Sequence, residues 1–323
     1  MKELIERALQ KNIEELGPPG RLRDACAYAL LNGGKRLRPL LVLLIGEALG
    51  IYRNNLKNRE FDKESAQIFS SGASDIVQAQ GTSEDKKFSA ETTQSKTDSS
   101  SYFGIKRSLM PIALSVEYFH TASLIADDLP CMDNDSLRRG SPSLHVAFGE
   151  SVALLTSYTL IAAGYGAVYE MAQSVPESDH LAVLALETIT RCAGLRGATQ
   201  GQFLDLFPPD PTQETLREVI EKKTVTLFEI SFVLGWLFGG GDLKLLDQVR
   251  KCAGHFGFAF QIADDIQDLS QDKRSLVHAI GLDAARDLFE KEVQNLEDSL
   301  QTLGLWNDPF QEMVGQLKVY AEV

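Results

Sequence analysis

A pair of carboxylates on an apolar helical segment is the sequence feature best suited to chemistry. Asp264 and Asp265 lie at the end of residues 254–266, a stretch that is otherwise apolar, and Asp268 follows two positions beyond it. Asp264 and Asp268 are four residues apart, so a helix presents both on one face. Side by side they repel each other and lose hydration unless a cation neutralises them. Because all the ligands are oxygens, we expect a hard ion such as Mg²⁺.

A second carboxylate cluster lies earlier in the chain, where Asp127 and Asp128 are followed by Asp133. An undistorted helix would place Asp127 and Asp133 about 240° apart. Pro130 interrupts the helical ladder between them, and this predicts a bulge that returns Asp133 towards Asp127. Taken alone, the cluster fits an acidic helix end followed by a solvated turn equally well.

Basic residues accompany the first cluster, because Arg138 and Arg139 follow it within two turns. A site for a metal–diphosphate needs carboxylates for the metal and guanidinium groups for the phosphate oxygens. A surface patch of salt bridges would have the same composition. That alternative does not explain the second carboxylate cluster, far downstream.

A further basic element, Gly-Gly-Lys-Arg-Leu-Arg-Pro at 33–39, precedes a strongly apolar helix. Lys35 and Arg38 are three residues apart and face the same way, whereas Arg36 points about 100° away. Cations at a helix N-terminus oppose the helix dipole, so their placement favours a bound anion there. The alternative is a basic turn exposed to water.

Several polar residues in apolar segments are weaker candidates. His120 lies two turns before the first cluster, Lys223 and Thr224 begin an apolar helix, and Gln202 and Asp205 form an i, i+3 pair. A lone histidine on an apolar face is usually a core residue with its hydrogen bonds satisfied. Taken alone, none of these positions indicates a functional site.

The elements that must position these residues are nearly all helical. Apolar residues recur at three- and four-residue spacing, and Pro- and Gly-containing turns separate the segments. These segments are 2–16, 21–49, 109–128, 151–173, 180–198, 214–239, 243–268 and 279–303. The pattern predicts an all-α fold, a single large helical bundle spanning 1–323. A Ser- and Thr-rich stretch predicts a disordered insertion at about 55–104, with no function assigned.

Composition limits the possible partners and location. The chain has 323 residues and a formal charge of −13, which argues against a nucleic-acid or anionic-lipid surface. Its four cysteines form no Cys-x-x-Cys pair, and the N-terminus has no apolar signal region. The longest apolar run, 40–45, is far shorter than the roughly 20 residues of a spanning helix. We therefore expect a soluble cytoplasmic protein without stable membrane insertion.

In this order, these segments resemble the trans (head-to-tail) prenyl diphosphate synthases, most closely the bacterial and plastid geranylgeranyl diphosphate synthases. The family's two aspartate-rich motifs match 127–140 and 257–268, and its Gly-Gly-Lys-Arg-x-Arg-Pro element matches 33–39. The resemblance covers about 33–288 without the insertion. It implies an isoprenoid-synthase bundle around a deep central cavity, usually a homodimer, that condenses isopentenyl diphosphate with an allylic diphosphate and releases pyrophosphate.

The resemblance also implies residue roles. Isopentenyl diphosphate would be bound by Lys35, Arg38, His120 and Arg139, and the allylic diphosphate by Arg138, Lys223 and Lys273. Three Mg²⁺ ions would be held by Asp127, Asp133 and Asp264, with direct or water-mediated support from Asp128, Asp265 and Asp268. Lys223, Thr224 and Gln261 would act beside the reacting carbons, and Gln202 with Asp205 would support these groups from behind.

The chain departs from the family after Asp268, where the usual glycine- and lysine-rich loop is short and Lys273 stands in for its lysines. Ala122 and Ser123, below the first cluster, are small where farnesyl-forming relatives often carry an aromatic residue. This predicts a C20 product, geranylgeranyl diphosphate. A farnesyl diphosphate synthase and a regulatory subunit of a heteromeric synthase stay open. A terpene cyclase fits less well, since its second metal motif mixes Asn, Ser or Thr with Glu.

Overall fold

The computed structural model describes residues 1–57, 109–175, 178–210, 212–269 and 275–321. Across these ranges the predicted all-α fold is confirmed, since the sheet structure found there is one pair of two-residue strands. The predicted insertion at about 55–104 lies outside the described residues, except that 55–57 still belong to a helix. Lys273 also lies outside them.

The elements follow the predicted segments, with additional breaks. The helices are α1 (Lys2–Asn12), α2 (Arg21–Leu31), α3 (Leu37–Lys57), α4 (Met110–Asp127), α5 (Leu144–Phe148), α6 (Glu150–Ser174), α7 (Asp179–Ala193), α8 (Ala198–Leu206), α9 (Gln213–Val219), α10 (Thr226–Gly239), α11 (Leu246–Gln267), α12 (Leu276–Ile280), α13 (Leu282–Thr302) and α14 (Asp308–Ala321). Short 3₁₀ turns occupy Ile13–Leu16 and Leu243–Leu245, and a π-helix occupies Ile220–Val225. Strands β1 (Leu137–Arg138) and β2 (Ser141–Pro142) form an antiparallel hairpin.

Two helices form the centre of the bundle because they are apolar on all sides. α4 and α10 bury most of their residues, which is the pattern of a helix surrounded by others. α4 packs against α3, α6 and α10, whereas α10 also packs against α7 and α11. α13 and α14 cover the other side of α11. The first carboxylate cluster therefore follows the central helix α4. The second lies near the end of α11, which packs against the other central helix, α10.

Arg36 joins the N-terminal helices to the centre of the bundle. The chain breaks between α2 and α3, and Arg36 has a left-handed φ of 53° in that break. Its buried guanidinium donates to Glu117 on α4 at 2.5 Å and to Glu6 on α1 at 2.8 Å. Burial lowers the pKa of Arg36, but the two carboxylates outweigh burial and raise it. Arg36 is thus turned away from Lys35 and Arg38, as the sequence predicts.

One helix in the described part of the chain, α6, is long and apolar enough to cross a membrane by length and composition alone. Polar residues such as Thr156 and Thr159 interrupt its apolar run, so a search for uninterrupted runs misses it. A core helix passes the same test, and α6 packs against α2 and α4. Of its most apolar stretch, 39% is buried.

Glu117→Ala tests the anchoring role of Arg36. The side chains of Arg36 and Glu117 are 0% and 1% exposed, so the change leaves a buried cation short of its closest partner. We expect urea unfolding to show a loss of about 3–5 kcal/mol. Arg7→Ala is the matched control, because its pair with Glu3 is almost fully exposed and such pairs contribute about 0–1 kcal/mol. Equal losses in the two variants would contradict the anchoring role.

Candidate active site

The first carboxylate cluster adopts the predicted bulge. α4 ends at Asp127, and the backbone N–H of Asp133 donates to the carbonyl oxygen of Asp127 at 2.9 Å. Asn134 follows with a left-handed φ of 56°, a conformation that asparagine tolerates better than most residues. The turn therefore closes on itself and brings Asp133 back to the end of α4.

Burial makes the carboxylates of this cluster costly to ionise. Burial is the largest cause that raises the pKa of Asp127 to about 6; the charges of Asp133 and Asp128 act in the same direction, and those of Lys223 and Arg138 oppose it. The pKa of Asp133 is raised as well, mainly by burial, while Gln202 beside it favours the ionised form. Both carboxylates would gain from a cation between them.

Asp128 and Arg138 neutralise each other. The Arg138 Nε donates to Asp128 Oδ1 at 2.9 Å, and its terminal nitrogen also contacts Asp135 at 3.1 Å. Asp128 is 3% exposed, so this pair is largely removed from water. The hydrogen bond that Arg138 donates to Asp128 raises the pKa of Arg138. Asp128 therefore holds the hairpin that carries Arg138, and its expected role in metal binding stays a prediction.

The β1–β2 hairpin places Arg139 against the turn before α3. Arg139 and Gly140 both have left-handed φ angles, 55° and 80°, as a two-residue type I′ hairpin turn requires. The Arg139 guanidinium donates to the Gly33 carbonyl oxygen. A Cβ on Gly34 would lie 2.5 Å from Arg139 Cζ, so the second glycine of the turn makes this close approach possible.

Arg38 and His120 form the most enclosed basic pair of the site. Their side chains meet at 3.2 Å between a terminal guanidinium nitrogen and Nε2. Burial, followed by the charges of Arg38 and Arg139, holds the pKa of His120 well below its ordinary value, so the ring is neutral and Nε2 accepts. Arg38 Nε and His120 Nδ1 are buried without a hydrogen-bond partner. Two such donors fit an anion with several acceptor oxygens.

Aromatic rings surround the cations at the start of α3. The Arg38 guanidinium lies 4.3 Å from the centroid of Phe228 on α10. The Lys35 ammonium lies 3.8 Å from the centroid of Tyr320 on α14 and 5.8 Å from that of Phe260 on α11. Cations are attracted to such faces. The rings also bound an apolar wall directly beside the charged groups.

The second carboxylate cluster divides into two roles. Asp264 is half-buried and accepts a hydrogen bond from the Tyr320 hydroxyl at 3.0 Å. Burial raises the pKa of Asp264, although Tyr320 and Lys35 oppose this effect. Asp268 is exposed at the end of α11 and adds its negative charge to the same region. This pair is the counterpart of Asp127 and Asp133.

Asp265 faces a different hydrogen-bond chain. It is buried and accepts from Gln261 Nε2 at 2.8 Å, while Gln261 Oε1 accepts from the Thr224 hydroxyl at 2.8 Å. The chain joins the π-helix to α11. The sequence predicts Thr224 and Gln261 near the reacting carbons, and the structure brings these two residues together. It places Asp265 behind them.

Lys223 projects from the π-helix towards the first cluster. Its ammonium contacts Asp205 Oδ2 on α8 at 2.5 Å and lies close enough to Asp127 and Asp133 to affect their ionisation. Burial lowers the pKa of Lys223, but Asp205 outweighs this effect and raises it. π-Helices are rare and often occur at functional sites. The helical periodicity at 214–239 does not reveal this one.

Two glycines explain how neighbouring helices fit around the π-helix. A Cβ on Gly201 of α8 would lie 2.3 Å from the backbone nitrogen of Lys223, and a Cβ on Gly257 of α11 would lie 2.9 Å from Val225 Cα. Helix-interior glycine costs stability, so its presence here is explained by close packing. This pair of glycines is the sequence signal that could have located the close packing of α8 and α11 against the π-helix.

Together these contacts connect charged groups from several elements. The turn before α3 provides Lys35, α3 provides Arg38, and the first cluster begins at the end of α4. α8 and the π-helix provide Asp205 and Lys223, and α11 provides Asp264. Within the described ranges no three His, Cys, Asp or Glu side chains converge as a ready metal cage. Mg²⁺ is commonly held by one or two carboxylates together with phosphate oxygens and water. The all-oxygen carboxylate pairs therefore fit Mg²⁺ that arrives with a diphosphate.

The residues predicted to set product length lie on α4 below the first cluster. Ala122 is 1% exposed, and its carbonyl oxygen accepts from the Ser157 hydroxyl on α6 at 3.0 Å. The Ser123 hydroxyl donates to the His120 carbonyl oxygen at 2.9 Å. Both side chains are small, so neither places a large group below the first cluster. The deep central cavity itself stays a prediction.

Gly201→Ala tests the close packing that positions Lys223. The added Cβ would force α8 away from the π-helix, so we expect a loss of about 1–3 kcal/mol in urea unfolding. Gly254→Ala is the matched control, because it also lies in a helix but a Cβ there meets nothing within 4 Å. The control should gain about 0.5–1 kcal/mol. Equal effects at the two glycines would contradict the packing argument.

Asp127→Asn tests the cost of burying a charge at the site. Since burial raises the pKa of Asp127 from 3.8 to about 6, its ionisation destabilises the metal-free fold. That cost is absent below about pH 4 and complete above about pH 6. We expect the variant to gain stability relative to the wild type across this interval, measured by urea unfolding with a chelator present. The exposed Asp24→Asn is the control, and a gap that stays constant with pH would contradict the argument.

Comparison with known proteins identifies the family. A family model described as polyprenyl synthetase matches residues 90–291. A farnesyl diphosphate synthase of Geobacillus stearothermophilus is 31% identical over 88% of this chain and 79% of its own length. A heterodimeric geranylgeranyl pyrophosphate synthase large subunit of Arabidopsis thaliana is 31% identical over 92% of this chain and 67% of its own length.

Solved structures agree in fold over the whole chain. A geranyltransferase of Legionella pneumophila superposes with a TM-score of 0.75 at 26% identity, covering 100% of this chain and 95% of its own. A geranyltranstransferase of Thermotoga maritima has a TM-score of 0.70 at 26% identity, covering 99% and 97%. With the family model spanning more than half of the residues, this chain belongs to the polyprenyl synthetase family.

Proposed function

We propose that the protein is a Mg²⁺-dependent trans-prenyltransferase that condenses isopentenyl diphosphate with dimethylallyl, geranyl or farnesyl diphosphate to make geranylgeranyl diphosphate. The observation that carries the proposal is the continuous series of contacts and charge interactions that connects two separate carboxylate pairs with one set of cations. Family membership supports the reaction class. The buried nitrogens of Arg38 and His120 that lack a hydrogen-bond partner also favour an anion site over a surface patch of salt bridges.

The residues divide into two diphosphate sites. Lys35, Arg38 and Arg139 come from the turn and hairpin around the start of α3, where neutral His120 adds a donor, and this half suits isopentenyl diphosphate. Lys223 lies beside Asp127 and Asp133, so that half suits the allylic diphosphate. When bound, Mg²⁺ would neutralise charge on the allylic diphosphate and make it a better leaving group.

The reaction then balances without a protein nucleophile. The allylic C1–O bond breaks, its electron pair leaves with pyrophosphate, and the double bond of isopentenyl diphosphate attacks C1. A proton is lost to the pyrophosphate, which regenerates an allylic product five carbons longer. Breaking the C1–O bond leaves positive charge on the allylic carbons, and Thr224 and Gln261 direct oxygen dipoles at this allylic carbocation. The aromatic wall of Phe228 and Phe260 excludes water that would react with it.

The test is incubation of the purified chain with isopentenyl diphosphate, each allylic primer and Mg²⁺, followed by product chromatography. We expect elongation to a C20 product and none when a chelator removes the metal. Arrest at C15 would favour a farnesyl diphosphate synthase, the activity named for one relative. A cyclic hydrocarbon would indicate a terpene cyclase. Absence of any elongation would contradict the proposal and favour a regulatory subunit.

Ala122→Phe tests the proposed product length. Ala122 lies on α4 below the first cluster and is 1% exposed, and the proposal is that an aromatic ring at this position shortens the growing chain. We expect the main product to change from C20 to C15, with an intermediate mixture from Ala122→Leu. Thermal unfolding identifies any general damage from overpacking. An unchanged product profile in a folded variant would contradict the assignment.

We also propose a homodimer built on α6 and α7. These helices carry a group of exposed large apolar side chains: Leu154, Leu155, Tyr158, Ile161, Val183 and Leu186. The two helices pack together, and exposed apolar side chains grouped on neighbouring helices are a feature of interaction sites. An interface there also accounts for the apolar composition of α6. Sedimentation velocity would show one species of twice the chain mass, and a monomer would contradict the proposal.

The cytoplasmic location and the lack of a nucleic-acid partner stay predictions from composition. Some relatives carry a chloroplast location in their names, such as a putative geranylgeranyl pyrophosphate synthase of Arabidopsis thaliana that is 29% identical over 95% of this chain and 75% of its own length. The formal charge of −13 argues against binding to an anionic surface.

A further inference from the structure

Tyr320 contacts one cation and one carboxylate of the site. Its hydroxyl donates to Asp264 Oδ1 at 3.0 Å, and its ring centroid lies 3.8 Å from the Lys35 ammonium. Its backbone carbonyl oxygen accepts from Gln267 Nε2 on α11 at 2.5 Å. One side chain near the end of α14 thus joins the turn before α3 to α11.

The two groups that Tyr320 contacts are those that a metal–diphosphate would need. The Lys35 ammonium would bind phosphate oxygens, and the Asp264 carboxylate would bind the metal. An aromatic ring covers one side of the ammonium, and the phenol hydroxyl occupies one carboxylate oxygen. Cation–π and single hydrogen-bond contacts are each modest in strength. A ligand of higher charge can therefore displace them.

The rest of α14 is anchored independently of Tyr320. Phe310, Met313, Val314 and Leu317 are buried against the bundle, and α14 packs along α11. Tyr320 itself is half-buried in the last turn of the helix. Its side chain can therefore leave Lys35 and Asp264 without detachment of the whole helix.

We propose that Tyr320 is a latch, a positioning residue that occupies Lys35 and Asp264 in the free enzyme and releases them when a diphosphate and its metal bind. The inference rests on the proposed function for the identity of the ligand. Because the contacts of Tyr320 must break before a diphosphate and its metal bind, Tyr320 lowers the affinity for both. The latch keeps opposite charges in defined positions before substrate arrives.

The test is calorimetric binding to the full chain, with metal-free isopentenyl diphosphate as one probe and pyrophosphate with Mg²⁺ as the other. Tyr320→Leu removes both contacts, so we expect isopentenyl diphosphate to bind about fivefold more tightly. Tyr320→Phe keeps the ring and removes the hydroxyl. It should change that affinity by less than about twofold and lower the Mg²⁺ needed for half-maximal pyrophosphate binding about threefold. Val319→Ala, an exposed neighbour on the same helix, is the control.

Weaker or unchanged binding in both Tyr320 variants would overturn the latch, because a side chain that only stabilises α14 cannot tighten binding on removal. If Tyr320→Leu does not fold, the Mg²⁺ requirement of Tyr320→Phe decides alone. If the wild-type protein elongates the allylic primer and neither variant binds its ligand more tightly, the latch is rejected and the proposed function is kept. Tighter pyrophosphate binding in Tyr320→Phe, without elongation by the wild type, supports the latch and rejects the function.

Discussion

Burial of opposite charges within one apolar bundle is the constraint on which the rest of the structure depends. The carboxylates of Asp127, Asp133 and Asp264 all have pKa values raised by burial, so each is held in a state that costs free energy. Lys223 and Lys35 offset part of that cost, and Mg²⁺ with a diphosphate would offset more. The arrangement of carboxylates and lysines thus suits a ligand that carries both signs of charge, such as a diphosphate with its metal ion.

Contacts away from the reacting groups maintain this geometry. Arg36 joins α1, α2 and α4 to the turn that carries Lys35 and Arg38, so a buried ion pair sets where the basic half begins. Gly34 admits the Arg139 guanidinium, and Gly201 admits the backbone of Lys223. Precise placement of charges therefore depends on residues that contact no substrate in the proposed reaction.

Local sequence rules recover the helices, the Pro130 bulge and the facing of Lys35 with Arg38, because each depends on spacing within one element. They do not recover the partner of Asp128, which is Arg138 in a hairpin formed only after the chain folds back. The π-helix is hidden for a related reason, since its apolar pattern is that of an ordinary helix. Tyr320 is separated from Asp264 by 56 positions, and no local pattern links the two.

The central claim is that the two carboxylate pairs act on one shared ligand. A crystal structure grown with Mn²⁺, as an anomalous substitute for Mg²⁺, and pyrophosphate tests it most directly. The account predicts anomalous peaks both at Asp127 with Asp133 and at Asp264, bridged by the same pyrophosphate. Metal at a single pair with Asp264 still bonded to Tyr320, or pyrophosphate bound elsewhere, would contradict it.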